Sequence, residues 1–362
     1  MTRIAAVHGV LAPHRHAQHE ITDMVARVCL PDGADRRVLD RLHHSSRVRS
    51  RHMTLPLDAY EKLDGFGAAN DAFITGATEL GATAVRGALH AAGLRPEDVD
   101  LLIFTSVTGI ATPSIDARLA GRLGLRPDVK RLPLFGLGCA GGAAGLARAH
   151  DYLLGHPDQV AVLLSVELCS LTFQRDDSSM ANLIATALFG DGAAAVVACG
   201  PDRSTGEREP AGPTVVDTRS RLYPDTGHVM GWNITSSGFQ VVLDPSVPDV
   251  VRRHLAADVT GFLAGHGLKP KDVSAWVCHP GGPKVLEAVT EALGLSGEAL
   301  GLSGEALGVT WRHLADVGNL SSSSVLHVLR DTLAGDPPAP GTPGLLLAMG
   351  PGFCCELVLL RW

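Results

Sequence analysis

Residues 129–155 read VKRLPLFGLGCAGGAAGLARAHDYLLG, in which an apolar run, a glycine-rich turn and a helix-forming segment follow one another. The turn places Cys139 among Gly138, Gly141 and Gly142. The pattern predicts a strand–turn–helix unit with the cysteine at the start of the helix, where the helix dipole and unpaired N–H groups favour a thiolate. Two interpretations stay open at this point: a small cysteine in tight packing, or a nucleophile that a substrate approaches closely.

Short apolar runs alternate with amphipathic helical stretches along the rest of the chain. Buried strands are predicted at 99–107, 159–168, 192–200, 272–279 and 344–350, further strands at the start of the chain and within 350–362, and helices at 67–93, 145–155 and 283–294. Such alternation indicates an α/β protein. The polar, proline-containing segment 200–214 is the best candidate boundary, and it divides the chain into residues 1–200 and 214–362.

Composition narrows the class of protein. A chain of 362 residues with 45% apolar and 19% charged residues can bury a large core. Its net charge of -7 argues against general nucleic-acid binding. Seven cysteines without a CxxC pair fit a reducing cytoplasm, and we see no signal peptide and no apolar run long enough to span a bilayer. We therefore expect a cytoplasmic protein without membrane insertion.

An exact tandem repeat, GLSGEAL, occupies residues 294–300 and 301–307. It is too short for a solenoid repeat, so we expect a duplicated surface segment. Seven residues are close to two helical turns, and a helix could absorb such an insertion without rotating the residues after it.

Two further residues could complete a site around the cysteine. His279 directly follows the strand-like SAWVC, and strand ends followed by glycine loops are where α/β folds place reactive groups. Asn319 lies in a glycine loop before a helix that the following serines could cap. Each could also be ordinary loop or turn chemistry. A nucleophilic cysteine needs a base and groups that hold an oxyanion, so the three residues together make the stronger case.

Several phrases carry a resemblance to a known family. They are GCAGG (138–142), ALFGDGAAAVV (187–197), HPGGPKVLEAV (279–289), GNLSSSSVL (318–326) and GPGF (350–353). In order and approximate spacing they resemble type III polyketide synthases, the chalcone synthase-like enzymes of the thiolase fold, and especially bacterial members that make alkylpyrones or alkylresorcinols. The resemblance extends over nearly the whole chain. It implies two related halves that form a layered αβαβα core, and a homodimer.

The resemblance also implies a reaction. Cys139 would accept an acyl group from a CoA thioester, and His279 and Asn319 would promote decarboxylation of malonyl-CoA and the condensation that comes after it. An imidazolium beside the cysteine would hold it ionised, and N–H donors would stabilise the enolate. Acyl-CoA and malonyl-CoA are then the substrates. We expect no metal and no redox cofactor, since the sequence has neither metal-ligand spacing nor a dinucleotide fingerprint.

The family's gatekeeper positions bear on the starter group. Phe189 matches the aromatic gatekeeper between the CoA tunnel and the reaction cavity, with a core phenylalanine as the plain alternative. Val241 stands where the family has a second gatekeeper phenylalanine, and this departure predicts a wider passage. Because each buried methylene contributes roughly 0.8 kcal/mol, a wide passage would favour a long aliphatic starter.

Other pocket positions are implied by the same resemblance. Cys169 and Thr172 match positions that line the cavity and influence starter choice and chain length. Ser321 follows the asparagine and also lines the cavity in relatives, although helix capping could account for it. Thr112 matches the residue that reaches across the dimer interface into the partner's cavity.

An acidic chain that binds an anion such as CoA needs local positive charge. Segment 36–53 holds six arginines, which could be a solvated face. Within it, Arg41 matches a family position that contacts CoA phosphates. Gly281 and Gly282 match glycines beside the pantetheine arm, where missing side chains allow close approach.

The expected function is iterative condensation of malonyl-CoA onto an acyl-CoA starter, which we expect to be aliphatic, with cyclisation to a pyrone or resorcinol-type product. A tetrahydroxynaphthalene synthase that uses malonyl-CoA only is one alternative. A ketoacyl synthase III of fatty-acid synthesis is another, although its histidine usually lies in an HQAN-like phrase where this chain has HPGGP. A thiolase-fold protein that binds acyl-CoA without reacting is the non-enzymatic alternative.

Overall fold

A computed structural model describes residues 1–31, 33–175, 177–203, 212–295 and 306–362 of the chain. Most of the tandem repeat lies outside these ranges, and so does the middle of the proposed boundary segment. The expected surface placement of the repeat and the division at 200–214 therefore stay predictions.

The strands are β1 (Thr2–Leu11), β2 (His14–Ala17), β3 (Ser50–Met53), β4 (Leu101–Thr105), β5 (Lys130–Leu134), β6 (Val160–Leu168), β7 (Asp191–Cys199), β8 (Thr214–Leu222), β9 (Met230–Thr235), β10 (Gly238–Leu243), β11 (Ala275–Cys278), β12 (Pro343–Gly350) and β13 (Cys354–Arg361). The helices are α1 (Gln18–Cys29), α2 (Arg37–Ser45), α3 (Leu57–Tyr60), α4 (Gly65–Ala92), α5 (Ile115–Leu123), α6 (Gly141–Gly155), α7 (Met180–Leu188), α8 (Val247–Ala264), α9 (Pro283–Leu293), α10 (Gly308–Val317) and α11 (Ser324–Ala334).

Nine of the described strands form one mixed sheet, in the order β11–β12–β13–β8–β1–β7–β6–β4–β5. In the N-terminal half, β1 pairs antiparallel with β7, β7 antiparallel with β6, and β6 parallel with β4. In the C-terminal half, β8, β13, β12 and β11 repeat that sequence of antiparallel, antiparallel and parallel pairs. The chain thus contains two related halves, which are joined where the start of β1 pairs with β8.

Three clusters of buried apolar side chains show how the helices and strands are layered. On one outer face, α1, α4 and α5 pack against the N-terminal strands. On the other, α8 and α9 pack against the C-terminal strands. The middle group joins α6 and α11 with residues of both halves, such as Ile103 and Leu346. This arrangement confirms the expected α/β thiolase-type layering, with α6 and α11 as its central layer.

The predicted elements that carry candidate residues are present. The strand–turn–helix unit at 129–155 is β5 and α6, and the apolar runs predicted as buried strands are β4, β6, β7, β11 and β12. These strands are covered on both faces and carry apolar residues on both. They therefore appear in the sequence as continuous apolar runs and not as alternating apolar and polar residues. Strand β5 differs because it is the exposed edge of the sheet.

The arginine-rich segment 36–53 is not a continuous solvated face. It forms α2 and β3, and its arginines have different surroundings. Arg51 is fully buried, whereas Arg36, Arg47 and Arg49 form ion pairs at the surface.

Buried histidines should make the stability of the fold sensitive to acid. Burial lowers the pKa of His43 to about 3, and its ring contacts Thr22 and Thr186. In the unfolded chain the pKa of His43 is about 6.5, which is well above its pKa in the folded chain. The stability linked to neutral His43 is therefore complete above about pH 6.5 and is lost as pH falls towards 3, by about 1.4 kcal/mol per pH unit.

His43→Asn keeps a polar group beside Thr22 but has no group that titrates. We expect this variant to reduce the pH dependence of the unfolding free energy by about 1.4 kcal/mol per pH unit below pH 6.5. Urea unfolding at several pH values between 4 and 7 measures it. An unchanged slope would contradict the assignment.

Candidate active site

A largely apolar cavity of about 570 Å³ holds most of the predicted site residues. Those that line it are Cys139, Cys169, Phe189, Val241, His279, Gly281, Gly282, Asn319 and Ser321. They come from both halves of the chain, so the two related halves must be assembled before the site exists. A concave, mostly apolar space with a few convergent polar groups is typical of a small-molecule site.

Cys139 lies in a single 3₁₀ turn, Gly138–Ala140, that leads into α6. Two neighbouring glycines are required by packing. Gly138 has φ +48°, and a Cβ there would lie 2.3 Å from the ring of Pro351. A Cβ on Gly142 would lie 2.2 Å from the carbonyl oxygen of Ser322. Gly142 therefore lets the start of α6 lie close to the asparagine loop of the other half, and Gly138 lets the cysteine turn lie against Pro351.

The charge state of the site differs from the predicted thiolate and imidazolium. Burial raises the pKa of Cys139 to about 12, and the negative charge of Glu167 acts in the same direction. Hydrogen bonds with Ser321 and Asn319 oppose this rise without cancelling it. Burial lowers the pKa of His279 to about 3. The site at neutral pH thus holds a thiol and a neutral imidazole, because burial disfavours the charged form of each group.

The Asn319 side chain is oriented by its own loop. Its Oδ1 accepts a hydrogen bond from the backbone N–H of Ser321 at 2.8 Å. The amide nitrogen is left as the group available to the cysteine and the cavity, so Asn319 can act as an N–H donor. Pairing of the Asn319 backbone with Leu188 and Gly190 fixes the loop beside the Phe189 segment.

The serines after Asn319 do not cap the helix as expected; they bind groups in the core. Ser323, at the N-cap of α11, makes no capping hydrogen bond with its side chain. It contacts Ser165 at 2.7 Å, and Ser322 contacts both Ser165 and Glu167. Ser321 has φ +47° and lies 3.8 Å from the sulfur of Cys139. Backbone strain of this kind in a non-glycine residue occurs often at functional sites.

Buried Glu167, at the end of β6, accepts hydrogen bonds from both halves. Its donors are the backbone N–H of Val107 and the hydroxyls of Ser106, Thr108 and Ser322. Burial raises the pKa of this carboxyl group, and the hydrogen bonds lower it. Glu167 was not among the predicted site residues, although a glutamate inside the apolar run QVAVLLSVEL is a visible signal.

His279 follows β11, and its backbone N–H donates to Leu347 of β12. Its ring lines the cavity, and neither ring nitrogen has a hydrogen-bond partner in the described part of the chain. Of the described cavity-lining residues it is the one imidazole. Its ring therefore faces the same cavity as the Cys139 thiol.

A buried arginine, Arg51, binds the backbone of the Phe189 segment. Arg51 donates from Nη1 to the carbonyl oxygen of Phe189 at 2.8 Å and from Nε to Gln18 at 3.0 Å. Burial lowers the pKa of Arg51 to about 9, so it stays charged at neutral pH. No sequence pattern indicates this contact, because 138 positions separate the two residues.

Val241 does not leave the passage free of aromatic groups. It lies on β10 directly opposite Trp232 of β9, and both residues line the cavity. Directly opposed residues of an antiparallel pair project from the same face. The Trp232 ring, which also contacts Phe239, therefore lies beside the small valine. This weakens the prediction of a wide passage.

Three predicted residues lie outside the described lining of the cavity. Thr172 is buried one 3₁₀ turn beyond Cys169, and its hydroxyl donates to the Cys169 carbonyl, so it supports a lining residue without facing the cavity. Thr112 is exposed in the single chain, as a residue that reaches a partner subunit would be. Arg41 is exposed on α2, the helix whose residues Leu42 and Ser45 line the cavity.

Two basic residues lie on elements that line the cavity. Arg41 makes no ion pair with any residue that the structure describes, unlike Arg36 on the same segment. Lys284, at the start of α9, lines the cavity beside Gly282. Lys284 was not predicted from the sequence, although it follows the HPGGP phrase directly.

Comparison with known proteins decides the family. Residues 2–202 match the family model of chalcone and stilbene synthases, N-terminal domain, and residues 214–362 match that of the C-terminal domain. The chain belongs to the chalcone and stilbene synthase family. It is a type III polyketide synthase, an enzyme of the acyltransferase type.

Individual relatives support the assignment. Over 361 residues the chain is 60% identical to a 1,3,6,8-tetrahydroxynaphthalene synthase of Streptomyces peucetius subsp. caesius, covering 100% of this chain and 93% of the relative. It is 39% identical to a putative chalcone synthase of Bacillus subtilis, covering 90% and 89%. The crystal structure of the 1,3,6,8-tetrahydroxynaphthalene synthase of Streptomyces coelicolor A3(2) matches with TM-score 0.90 at 28% identity, covering 99% of each chain.

The described ranges contain neither a metal-binding cluster nor a membrane span. No group of three or more histidine, cysteine, aspartate or glutamate side chains in them is arranged to hold a metal ion. None of the helices in these ranges combines the length and apolar character needed to cross a bilayer.

Cys139→Ala should abolish condensation, because Cys139 is the lining thiol that contacts the asparagine loop, at Ser321 and Asn319. Malonyl-CoA decarboxylation should persist in part, since both N–H donors remain. Mass spectrometry of the acylated protein and of the products measures the two effects. Cys169→Ala, which removes the other thiol of the cavity, is the matched control and should keep acylation. Full product formation by Cys139→Ala would exclude the nucleophile assignment.

Proposed function

We propose that the enzyme uses malonyl-CoA both as starter and as extender and forms a product of the 1,3,6,8-tetrahydroxynaphthalene type. The observation that carries this proposal is the 60% identity, over the whole chain, to a synthase of that name. The aromatic ring of Trp232 beside Val241 also favours a small starter over a long aliphatic one.

In the proposed mechanism Cys139 is the nucleophile. The neutral His279 takes the thiol proton as Cys139 attacks the CoA thioester, so that the thiolate forms only when an acyl group is present to accept it. Loss of carbon dioxide from the next malonyl group gives an enolate. N–H groups of His279 and Asn319 stabilise its oxygen in the buried site, where hydrogen bonds to a developing charge are strongest.

CoA would enter between α2 and α9. Arg41 and Lys284 supply positive charge for its phosphates, and Gly281 and Gly282 leave room for the pantetheine arm. Lys284 extends the set of contacts that the sequence resemblance implied. No metal or redox cofactor has a role in this scheme.

A homodimer is part of the proposal. Thr112 is exposed, and β5 presents an unpaired sheet edge with exposed Leu132 and the adjacent Phe135. Exposed strand edges are favourable pairing surfaces, and apolar side chains on them favour burial. Light scattering of the purified protein gives the mass in solution. A monomer at micromolar concentration would exclude this part of the proposal.

An aliphatic starter is the second candidate. It is favoured by the apolar lining of the 570 Å³ cavity and by the valine at position 241. Incubation with malonyl-CoA alone and with a panel of acyl-CoAs, with products identified by mass spectrometry, separates the candidates. A tetrahydroxynaphthalene-type product from malonyl-CoA alone supports the first. Products that require an added acyl-CoA support the second, and dependence on acyl carrier protein would indicate a ketoacyl synthase.

Trp232→Ala should relax starter selection. Removing the ring opens space beside Val241, and a few methylenes buried there at roughly 0.8 kcal/mol each should raise kcat/KM for hexanoyl-CoA about ten-fold or more. Adding Val241→Phe to this variant should restore an aromatic group to the passage and reverse the gain. Relative kcat/KM values for malonyl-CoA and hexanoyl-CoA measure both changes.

Ile234→Ala is the control, because Ile234 is an exposed apolar residue of the same strand outside the described cavity lining. It should leave starter preference unchanged. If Trp232→Ala also leaves the preference unchanged, Trp232 does not limit the starter.

A further inference from the structure

The end of α7 leads directly into the Phe189 segment, and three successive backbone carbonyls there bind donors from other parts of the chain. They belong to residues 187–189. Their donors are, in order, Nε2 of Gln18 at 2.9 Å, the backbone N–H of Asn319 at 2.8 Å and Nη1 of Arg51 at 2.8 Å. The last carbonyls of a helix have no partner within the helix, so these donors satisfy groups that α7 leaves open.

Arg51 and Gln18 form a buried pair beside these carbonyls. Nε of Arg51 donates to Oε1 of Gln18 at 3.0 Å, and the two residues are 0% and 9% exposed. A guanidinium has only donors, so it fixes the Gln18 oxygen towards Arg51 and the Gln18 amide nitrogen towards α7. The Gln18 backbone N–H also donates to the carbonyl of Arg49 at 2.9 Å, which ties the start of α1 to the residue before β3. Each member of the pair therefore holds the other in place.

Arg51 also contacts the residue before Asn319. A Cβ on Gly318, which has φ +78°, would lie 3.1 Å from both Cγ and Cδ of Arg51. Asn319 itself pairs with Phe189 in a parallel bridge, and its carbonyl accepts from the N–H of Gly190 at 2.9 Å. The stem of Arg51 thus packs on the asparagine loop, while its guanidinium binds the segment that pairs with this loop. One side chain therefore fixes the spacing between two residues that line the cavity.

The surroundings of Arg51 are unusual for a buried charge. It forms no ion pair with a described carboxylate; burial lowers its pKa, and the negative charge of Asp191 only partly opposes this. Its Nη2 has no hydrogen-bond partner among the described residues. Burying a charge without an opposite charge in contact is costly, and an apolar side chain of similar length would fill the same space at a lower cost. The gain from the arginine therefore lies in its directed N–H donors.

We propose that Arg51 is a positioning residue of the active site, and that together with Gln18 it sets the spacing between Phe189 and Asn319 that condensation needs. The inference rests on the proposed role of Asn319 as an N–H donor to the enolate.

The proposed mechanism has two steps that this pair should affect differently. Acyl transfer from CoA uses the Cys139 thiol and His279, and the contacts of Arg51 described above include neither residue. Decarboxylation and condensation also use the Asn319 amide, whose Oδ1 is bound to the N–H of Ser321, so the amide moves with the loop backbone. An N–H donor stabilises a developing charge only within hydrogen-bond distance, so a shift of about 1 Å is enough to lose it.

Arg51→Met tests the proposal, because methionine keeps a flexible apolar stem and removes all the N–H donors. We expect kcat for malonyl-CoA consumption to fall at least about ten-fold, since the enolate loses a correctly placed donor. The rate at which Cys139 becomes acylated after rapid mixing with malonyl-CoA should change by less than about two-fold. The mass of the intact protein at successive times measures this rate.

Two further variants separate positioning from simple loss of packing. Arg51→Lys keeps a donor for the Phe189 carbonyl and should recover kcat at least about three-fold relative to Arg51→Met. Gln18→Leu removes the donor to the Ala187 carbonyl and the acceptor of Arg51, and it keeps the test open if Arg51→Met does not fold. It should show the same selective loss, with kcat reduced about three-fold or more and acylation unchanged.

The double variant Arg51→Met, Gln18→Leu tests whether the two residues act as one unit. It should be no more than about two-fold slower than Arg51→Met alone, because the second change removes an interaction that is already lost. Independent residues would instead multiply their losses.

Arg126→Met is the matched control. Arg126 also donates from Nη1 to a backbone carbonyl, that of Glu97 at 2.9 Å, and it lies outside the described lining of the cavity. It should keep both the acylation rate and kcat within about two-fold of wild type. The comparison separates the loss of an arginine from the loss of this particular one.

The outcomes separate the two proposals. Unchanged kcat in Arg51→Met and Gln18→Leu would overturn the positioning role, and so would equal losses of acylation and of kcat, which indicate general damage to the fold. In either case acylation of wild-type Cys139 and its loss in Cys139→Ala would still support the proposed function. A wild-type enzyme that consumes no malonyl-CoA, alone or with hexanoyl-CoA, would overturn both.

Discussion

The buried carboxylate of Glu167 is the contact on which the site geometry depends. It accepts hydrogen bonds from Ser106, Val107 and Thr108 in one half of the chain and from Ser322 in the other. An isolated buried carboxylate would cost on the order of several kcal/mol, so these donors must be present together for the fold to retain it. Ser322 belongs to the loop of Asn319, and that loop packs on Gly142 beside the Cys139 turn. One interaction therefore fixes two proposed catalytic groups from different halves.

The same burial sets the chemistry of the resting site. It raises the pKa of the Cys139 thiol and lowers that of His279, so an ion pair is unfavourable before a substrate is bound. A neutral thiol is protected from unwanted alkylation and oxidation, because the thiolate is the reactive form. Forming the thiolate from the resting thiol then requires another group to take up its proton. Protons and substrate therefore have to reach a buried thiol through the cavity that Cys139 lines.

Features that depend on local pattern could be predicted from the sequence. The apolar runs located the central strands, and the glycine turn placed Cys139 at the start of α6 because strand, turn and helix are consecutive there. Contacts between distant residues were not visible in this way. The bond from Arg51 to the Phe189 carbonyl joins two segments that the fold brings together, and arginines at the surface and in the core look alike in sequence. The serines after Asn319 matched a capping pattern, but burial gave them partners in Glu167 and Ser165.

Val241 shows why a single departure from a family pattern is a weak guide to pocket size. A valine in place of a phenylalanine removes volume from one strand of a hairpin, and the sequence alone suggests an opening. The facing strand, however, carries Trp232 at the directly opposed position, and both side chains project into the same cavity. The width of the passage is therefore a property of the pair. Cross-strand register, which only the folded hairpin reveals, determines which residue can compensate for another.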